Sequence, residues 1–599
     1  MKSPLKKITT PTVVRIFAVI GVITTVLVAI VIAILTYEAC AAPSEPDSVI
    51  LTLDLDQPIV EQSDQSPLGL AMHEDSIPLL DILHAIDSAR DDPHVKGLAA
   101  LFGSEQPSLA QAEEIRSALA RFRASGKPTY AFGTSYGDFG NGNRAYFIAS
   151  GFENIWLQPA GAVGLTGLAI EAPFGKTALE KIGVSGDFLR REEYKSVMET
   201  FTRDDFSPPV RANMQSMLDD LAAQEAEGIA LGRKWDPSHV KQLMEKGPFT
   251  ASEALKNDLV THIGGANELD DELKKMAGDD VEQVGVEDYL DYGGGGGRAK
   301  KPKARVALIF GTGLITDHAV GPSDVTGDEV MGADEIAGAF DDAAEDKKIK
   351  AIIFRIDSPG GSPSAAETIR SALVHAQKAG KPVFVSMGGE AASGGYWVAM
   401  NADQIIAEPG TITGSIGVVA GKFVLGGLMQ KIGVSWDHLT TGGNGDMWSM
   451  TQAYTPEQRA RIDAFLDETY KDFVQGVATA RHIPLARMGD IAKGRVWTGA
   501  QAQKIGLVDQ LGGFDVTLGA VRKQLNLTPD DMMSIDLLPA PLTPAEKVLK
   551  LLKGIGIESA MIRTALGQWQ KMQTVVGPVW SEMNARGPLQ ARAILPVVR

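Results

Sequence analysis

The chain is written twice, and no other feature of its 599 residues constrains the fold as strongly. Ile115–Leu119 reads IRSAL and returns as Ile369–Leu373, at an offset of 254; Gly126-Lys127-Pro128 returns as Gly380-Lys381-Pro382 at the same offset. KIGVS at Lys181–Ser185 returns at Lys431–Ser435, and Gln158 through Gly167 answers Glu408 through Gly417, both at an offset of 250. Gly264-Gly265 answers Gly512-Gly513 at 248. The landmarks keep their order, and each copy is far longer than a solenoid unit of roughly 20–50 residues. Two homologous, domain-sized halves are expected, over 48–280 and 304–525. A linker over 281–303 holds Gly293–Gly297 and the basic run RAKKPKAR, and an extension covers 526–599.

Both halves share one rhythm. A short apolar run (Gly97–Phe102; Ala351–Ile356) precedes an amphipathic stretch (Ser108–Ala124; Ser364–Ala379) that ends in Gly-Lys-Pro. A second apolar run follows (Thr129–Phe132; Val383–Met387), then a third (Asn154–Leu157; Gln404–Ala407). Glycine closing a helix with proline just beyond is a C-terminal signal. Apolar runs too short for helices, alternating with helices, predict α/β layers with buried strands.

Ile16–Leu35 is a 20-residue stretch without a charge, long enough for a helix to cross a bilayer core of about 30 Å. Lys2, Lys6, Lys7 and Arg15 precede it, whereas Glu38, Glu45 and Asp47 follow. The positive-inside rule puts residues 1–15 in the cytoplasm and the bulk on the far side, the periplasm if the source is bacterial. A cleaved signal peptide usually has an apolar region of only about 7–15 residues, so an uncleaved anchor is expected. The net charge of −18 argues against a broad nucleic-acid-binding surface. Cys40 is the sole cysteine, which excludes an intrachain disulfide and a multi-cysteine metal site.

Duplication lets one copy serve as control for the other. After its strand, the second half carries Asp357-Ser358-Pro359-Gly360-Gly361-Ser362, where the first has Gly103-Ser104-Glu105-Gln106-Pro107. Adjacent glycines let backbone N–H groups turn toward a developing negative charge, although an ordinary turn uses the same residues. Next comes Ala392-Ser393-Gly394-Gly395-Tyr396-Trp397. Counting back from Tyr146 and Tyr396, the counterpart of Ser393 is Asn143. Small neighbours leave the Ser393 hydroxyl accessible, as they also do for a capping serine. His375 and His438 form no His-Asp arrangement with it. A buried lysine can act as the base instead. The first half offers Lys195, whose counterpart is Gly445, although its charged neighbours Arg190–Glu193 also suit a solvated surface.

DSPGGS, GKPVFVSMGGEAASGGYW, EPGTITGSIGV and, in the first half, YKSVMETFTRDDFSP together resemble the signal peptide peptidase A family (peptidase family S49) in its long, two-repeat, membrane-anchored form. The resemblance runs from the N-terminal anchor to about residue 525. It implies two tandem Clp protease/crotonase-like α/β domains and a serine endopeptidase with a Ser–Lys dyad, requiring no cofactor or metal. Ser393 matches the family nucleophile, Lys195 the general base and Ser415 a serine that orients the lysine. Gly360 or Gly361 matches the oxyanion donor region. The family forms homo-oligomers, typically tetramers, and degrades signal peptides left in the membrane after cleavage, which implies an inner-membrane, single-pass protein facing the periplasm.

A lysine serving as base must lose its proton near neutrality. Lowering its pKa from about 10.4 to near 7 costs roughly 4–5 kcal/mol, so Lys195 is expected to be buried. Two rival readings make different predictions. A crotonase-type acyl-coenzyme A hydratase or isomerase is indifferent to Ser393→Ala, and an inactive membrane scaffold is not labelled at Ser393 by a serine-reactive probe.

Overall fold

A computed structural model describes residues 46–540, apart from 63–75, 104, 138–139, 293–301, 319–329 and 529–530. The expected cytoplasmic N-terminus, the anchor over 16–35, Cys40, the glycine run and the tail beyond 540 lie outside the described residues. Among the described residues no helix is long and apolar enough to cross a membrane.

The protein is mixed α/β, built on two sheets. The first half contributes β1 (Val49–Asp54), β2 (Val95–Phe102), β3 (Thr129–Gly133) and β4 (Asn154–Leu157). β5 (Ser185–Arg190) leaves the sheet, and β6 (His262–Ile263) and β7 (Glu282–Gly285) return to it. The order is β6-β4-β3-β2-β1-β7, and every pairing is parallel. The second half supplies β8 (Ala304–Thr312), β9 (Ile349–Ser358), β10 (Val383–Ala392), β11 (Gln404–Ala407), β12 (Ile412–Gly414), β13 (Val419–Val424), β14 (Val496–Thr498), β15 (Gln510–Leu511) and β16 (Met533–Leu538). Its strands run β15-β11-β10-β9-β8-β16, the same order as in the first half. The far end of β10 departs from that pattern, pairing with β12, which in turn pairs antiparallel with β14.

Two segments differ from the sequence expectation. The stretch assigned to a linker from 281 contains β7, which pairs with β1, and the helix Val286–Asp291. The stretch assigned to an extension from 526 contains β16, which pairs with β8. Both are edge strands with few inward apolar residues, Val284 in β7 and Met533 and Ile535 in β16.

Central strands form because they are buried on both faces: Ala351, Ile352, Ile353, Phe354 and Ile356 are all fully buried in β9. Helix α1 (Leu109–Arg123) opens with a reciprocal Ser108/Gln111 capping box, and the short α2 (Asn143–Ala149) follows β3. Their counterparts are α3 (Pro363–Lys378), capped by Ser362, and α4 (Gly394–Ala399). Gly126 and Gly380 adopt matching φ values of 84° and 85° in the turns after α1 and α3. The repeated lysine has one job in both copies. Lys127 donates to the carbonyls of Ala89 and Asp92, and Lys381 to those of Asp346 and Ile349, closing the preceding helices.

Two of the contacts between the halves are apolar junctions. β5 pairs antiparallel with β13, and Leu189 packs with Val418, Met447, Tyr454 and two residues of α5 (Pro456–Ala480), Ile462 and Leu466. Elsewhere, Val306, Leu308, Ile353 and Phe384 of the second sheet join the first-half core. Beside them Arg355, fully buried, donates to Glu61 at 2.7 Å and to Glu114 at 2.7 Å.

Candidate active site

Ser393 stands at the junction of β10 and α4, with φ 55° and ψ −115°. A left-handed φ is costly for serine, about 1–3 kcal/mol, and persists only where the surroundings impose it. Here its N–H donates to Gly414 O at 2.9 Å, and its carbonyl accepts from Tyr396 and Trp397 N–H in the first turn of α4. The side chain is left free of helix capping.

Lys195 arrives from the first half. The chain leaves β5 through Glu192, at φ 70°, and passes against the second half. Tyr194 N–H donates to Lys493 O at 3.1 Å, and the Arg495 guanidinium lies over the Tyr194 ring. Gly494 and Gly417 leave room for the lysine backbone and stem: a Cβ on Gly494 would lie 2.5 Å from Lys195 N, and one on Gly417 3.3 Å from Lys195 Cδ. Lys195 is only 7% exposed. Its Nζ lies 2.8 Å from Ser393 Oγ, 2.9 Å from Ser415 Oγ and 3.2 Å from Ser415 O. The amine of one half and the hydroxyl of the other therefore meet within a single chain. Burial pushes the Lys195 pKa down to about 8, opposed by the nearby Glu390 carboxylate. Glu390 is itself raised by burial, with Lys195 opposing.

The glycine loop abuts the serine. Gly360 has φ 104°, and a Cβ there would lie 2.9 Å from Ser393 Cβ and 2.5 Å from Gly394 N. The Gly360 N–H is engaged, donating to Ser358 Oγ at 3.1 Å, and its carbonyl accepts from Ile315 N–H. Ser362 N–H donates to Ile315 O, so the loop is pinned on both sides of Gly361. Among the described residues the Gly361 N–H has no acceptor, and the Gly394 N–H starts α4 without one. Of the two glycines singled out in the sequence, Gly361 is thus the one with a donor to spare. Gly394 is a further donor that sequence reading missed, although its place directly after the serine was a usable signal.

The repeat counterparts of these residues do not form this constellation. Asn143 accepts from Thr166 N–H and donates to Glu225, Leu165 stands where Ser415 does, and Gly445 is exposed.

Residues 121–280 and 375–528 match the sequence model of peptidase family S49. The chain is 35% identical over 493 residues to "Protease 4" of Salmonella typhi, covering 80% of this chain and 76% of that protein. It is 33% identical over 475 residues to "Protease 4" of Haemophilus influenzae, covering 76% and 74%. It is 28% identical over 478 residues to "Serine protease SPPA, chloroplastic" of Arabidopsis thaliana, covering 78% and 68%.

Proposed function

Because the chain belongs to peptidase family S49, it is a serine peptidase, and we propose that Ser393 is its nucleophile and Lys195 its general base. The neutral Lys195 amine takes the Ser393 proton as Oγ attacks the substrate carbonyl carbon. The tetrahedral oxyanion accepts hydrogen bonds from the Gly361 and Gly394 N–H groups. Lys195 then passes its proton to the departing amine as the C–N bond breaks. Water gives a proton to the Lys195 amine as it attacks the acyl-enzyme, and that proton passes to Ser393 Oγ as the ester C–O bond breaks. Ser415 accepts a hydrogen bond from Lys195 and fixes the direction of its lone pair. Gly360 supplies the turn that brings Gly361 beside the serine.

One observation carries this reading: Nζ and Oγ are 2.8 Å apart, at a lysine that burial keeps easy to deprotonate. The finer reading is a pair of Clp protease/crotonase-like repeats tethered by residues 16–35 to the inner membrane, with the bulk in the periplasm. Its substrates are signal peptides released into the bilayer and other unfolded peptides, and the chain works as a homo-oligomer, a tetramer. The charge-free segment and the lysines before it support the tether. A site held near the bilayer suits apolar peptides that stay there.

The test is hydrolysis of an unstructured peptide by the purified protein. Ser393→Ala and Lys195→Ala should each lose at least about 10³-fold in kcat with thermal unfolding intact. Full activity in either variant rejects the dyad.

A further inference from the structure

Glu390 of β10 pairs with Ile412 of β12, three positions before Ser393 on one strand and Ser415 on the other. Side chains alternate along β10. Val383, Val385, Met387 and Ala391 belong to the core of the second half, whereas Phe384 joins the core of the first. Glu390 and Ala392 flank Ala391, so they lie on the face turned to the first half, the half that supplies Lys195. The first half closes on this stretch: a Cβ on Gly389 would lie 3.0 Å from Ser108 Oγ. Glu390 is half-buried and its N–H is held by Asp357, yet among the described residues its carboxylate makes no hydrogen bond and no ion pair. Carboxylates drawn into a protein are normally paired, and this one is left unpaired beside a nucleophile. Counting back from Tyr146 and Tyr396, the counterpart of Glu390 is Gly140. The copy without the serine and the lysine therefore also lacks the carboxylate.

We propose that Glu390 is a positioning residue for the reaction, its carboxylate the counter-charge to the Lys195 ammonium that forms when Ser393 gives up its proton. This rests on the dyad reading and deepens it. The proton moves from Ser393 Oγ to Lys195 Nζ and later to the departing amine, and Glu390 takes none. Once the proton has moved, the ammonium lies between the carboxylate and the new oxyanion. The positive charge thus appears in a site already polarised to receive it, with no water needed to reorganise around it.

The surrounding charges fit this role. Among the described residues Glu390 is the charged group that acts on the Lys195 amine, and Lys195 the one that acts on the Glu390 carboxylate. Asp357, across from Glu390 on β9, is raised by burial and by the Glu61 charge. Arg355, on the same strand, is already held by Glu61 and Glu114. The same carboxylate has a second effect. It keeps the resting amine protonated to a higher pH than burial alone would, so the enzyme holds less neutral lysine at pH 7 and a stronger base at the moment of transfer.

The test is the pH profile of peptide hydrolysis by the full-length protein, comparing wild type with Glu390→Gln, Glu390→Asp and Lys195→Ala. Glutamine loses no side-chain hydrogen bond at this position, so thermal unfolding should match wild type. Glu390→Gln should move the inflection of kcat/KM down by about half a pH unit or more, and lower the plateau kcat about threefold or more. Glu390→Asp keeps the charge and should lie between the two in both readouts. The shift should be the same for a peptide with lysine beside the scissile bond and for one without charge there. An unmoved inflection in Glu390→Gln overturns the proposal, and so does an aspartate variant displaced as far as the glutamine one. A loss confined to the lysine peptide would set the carboxylate against substrate instead, and overturn it too. Full activity in Lys195→Ala removes the dyad reading itself. An inactive Lys195→Ala beside an unmoved Glu390→Gln profile removes this role alone.

Discussion

The Asp357 carboxylate accepts a 2.7 Å hydrogen bond from the Glu390 N–H, across the point where β9 and β10 lose register. Ile356 is paired with Met387 but Ser358 with Ala391, so residues 388–390 bulge and Asp357 fills the gap. Asp357 precedes the loop of Gly360 and Gly361, and Glu390 precedes Ser393 by three positions. The bond therefore ties the loop of Gly360 and Gly361 to the strand that leads into Ser393. Asp357→Ala should leave the Glu390 N–H unsatisfied, destabilise the protein by about 1–3 kcal/mol and lower kcat by about tenfold or more. Asp357→Asn keeps an acceptor and should retain most of both. Steady-state kinetics with chemical unfolding reads the pair, and an alanine variant equal to wild type in both would remove this role.

As the proposed general base, Lys195 sets the pH dependence. With its pKa at about 8, roughly a tenth of the amine is neutral at pH 7. kcat/KM should rise about tenfold per pH unit below pH 8 and level off above it. Ser415→Ala should lower kcat with little change in KM, because it removes a partner of the base and no contact to substrate. Stability carries the opposite mark of the same burial. Between about pH 8 and the ordinary 10.5 the unfolded chain holds a proton on this lysine that the folded chain has released, so stability rises with pH through that window. The penalty is fully present below pH 8, at about 3 kcal/mol from 1.36 kcal/mol per unit. Lys195→Met should therefore be inactive yet more stable than wild type at pH 7. A flat activity profile from pH 6 to 9 would contradict the assignment.

The doubled sequence made much of this legible. The repeat landmarks predicted two α/β halves, and the sheets share one strand order because the apolar runs recur in that order. Ser393 and Lys195 stood out because Asn143 and Gly445 replace them in the other copy. Other features leave no such trace. β7 and β16 are edge strands with one and two buried apolar residues, below what periodicity detects. Gly494 acts only by the space it leaves, and one chain glycine reads like another. Arg355 interrupts an apolar strand, and no local pattern points to its partners Glu61 and Glu114, which lie in the other half.

That buried arginine is a lock between the halves. It donates to Glu61, Glu114 and Ser386, and Glu114 also accepts from Phe514 N–H. Removing one member of a buried ion network leaves uncompensated charge, at about 3–5 kcal/mol. Arg355→Ala should unfold at much lower denaturant, whereas Arg355→Met combined with Glu61→Gln and Glu114→Gln should recover a good part of the loss. Equal stability of Arg355→Ala and wild type in urea would mean that the network contributes nothing.

Gly494 gives the sharpest test of how the lysine is placed. It has φ 80°, and a Cβ there would lie 2.5 Å from Lys195 N and 2.8 Å from both Cα and Cβ, atoms that cannot swing aside as a side-chain tip can. Gly494→Ala must therefore push the Lys195 backbone. A displacement of about 1 Å at a catalytic group can cost on the order of 10²-fold in rate. The control is Gly506→Ala, at φ 88° with its nearest neighbour 3.7 Å away, which meets backbone strain of about 1 kcal/mol and no collision. Gly494→Ala should lose kcat far beyond the control at comparable loss of thermal stability. Equal activity in the two variants would show that the lysine reaches Ser393 from a backbone free to move, and that the close fit against Gly494 does not hold it.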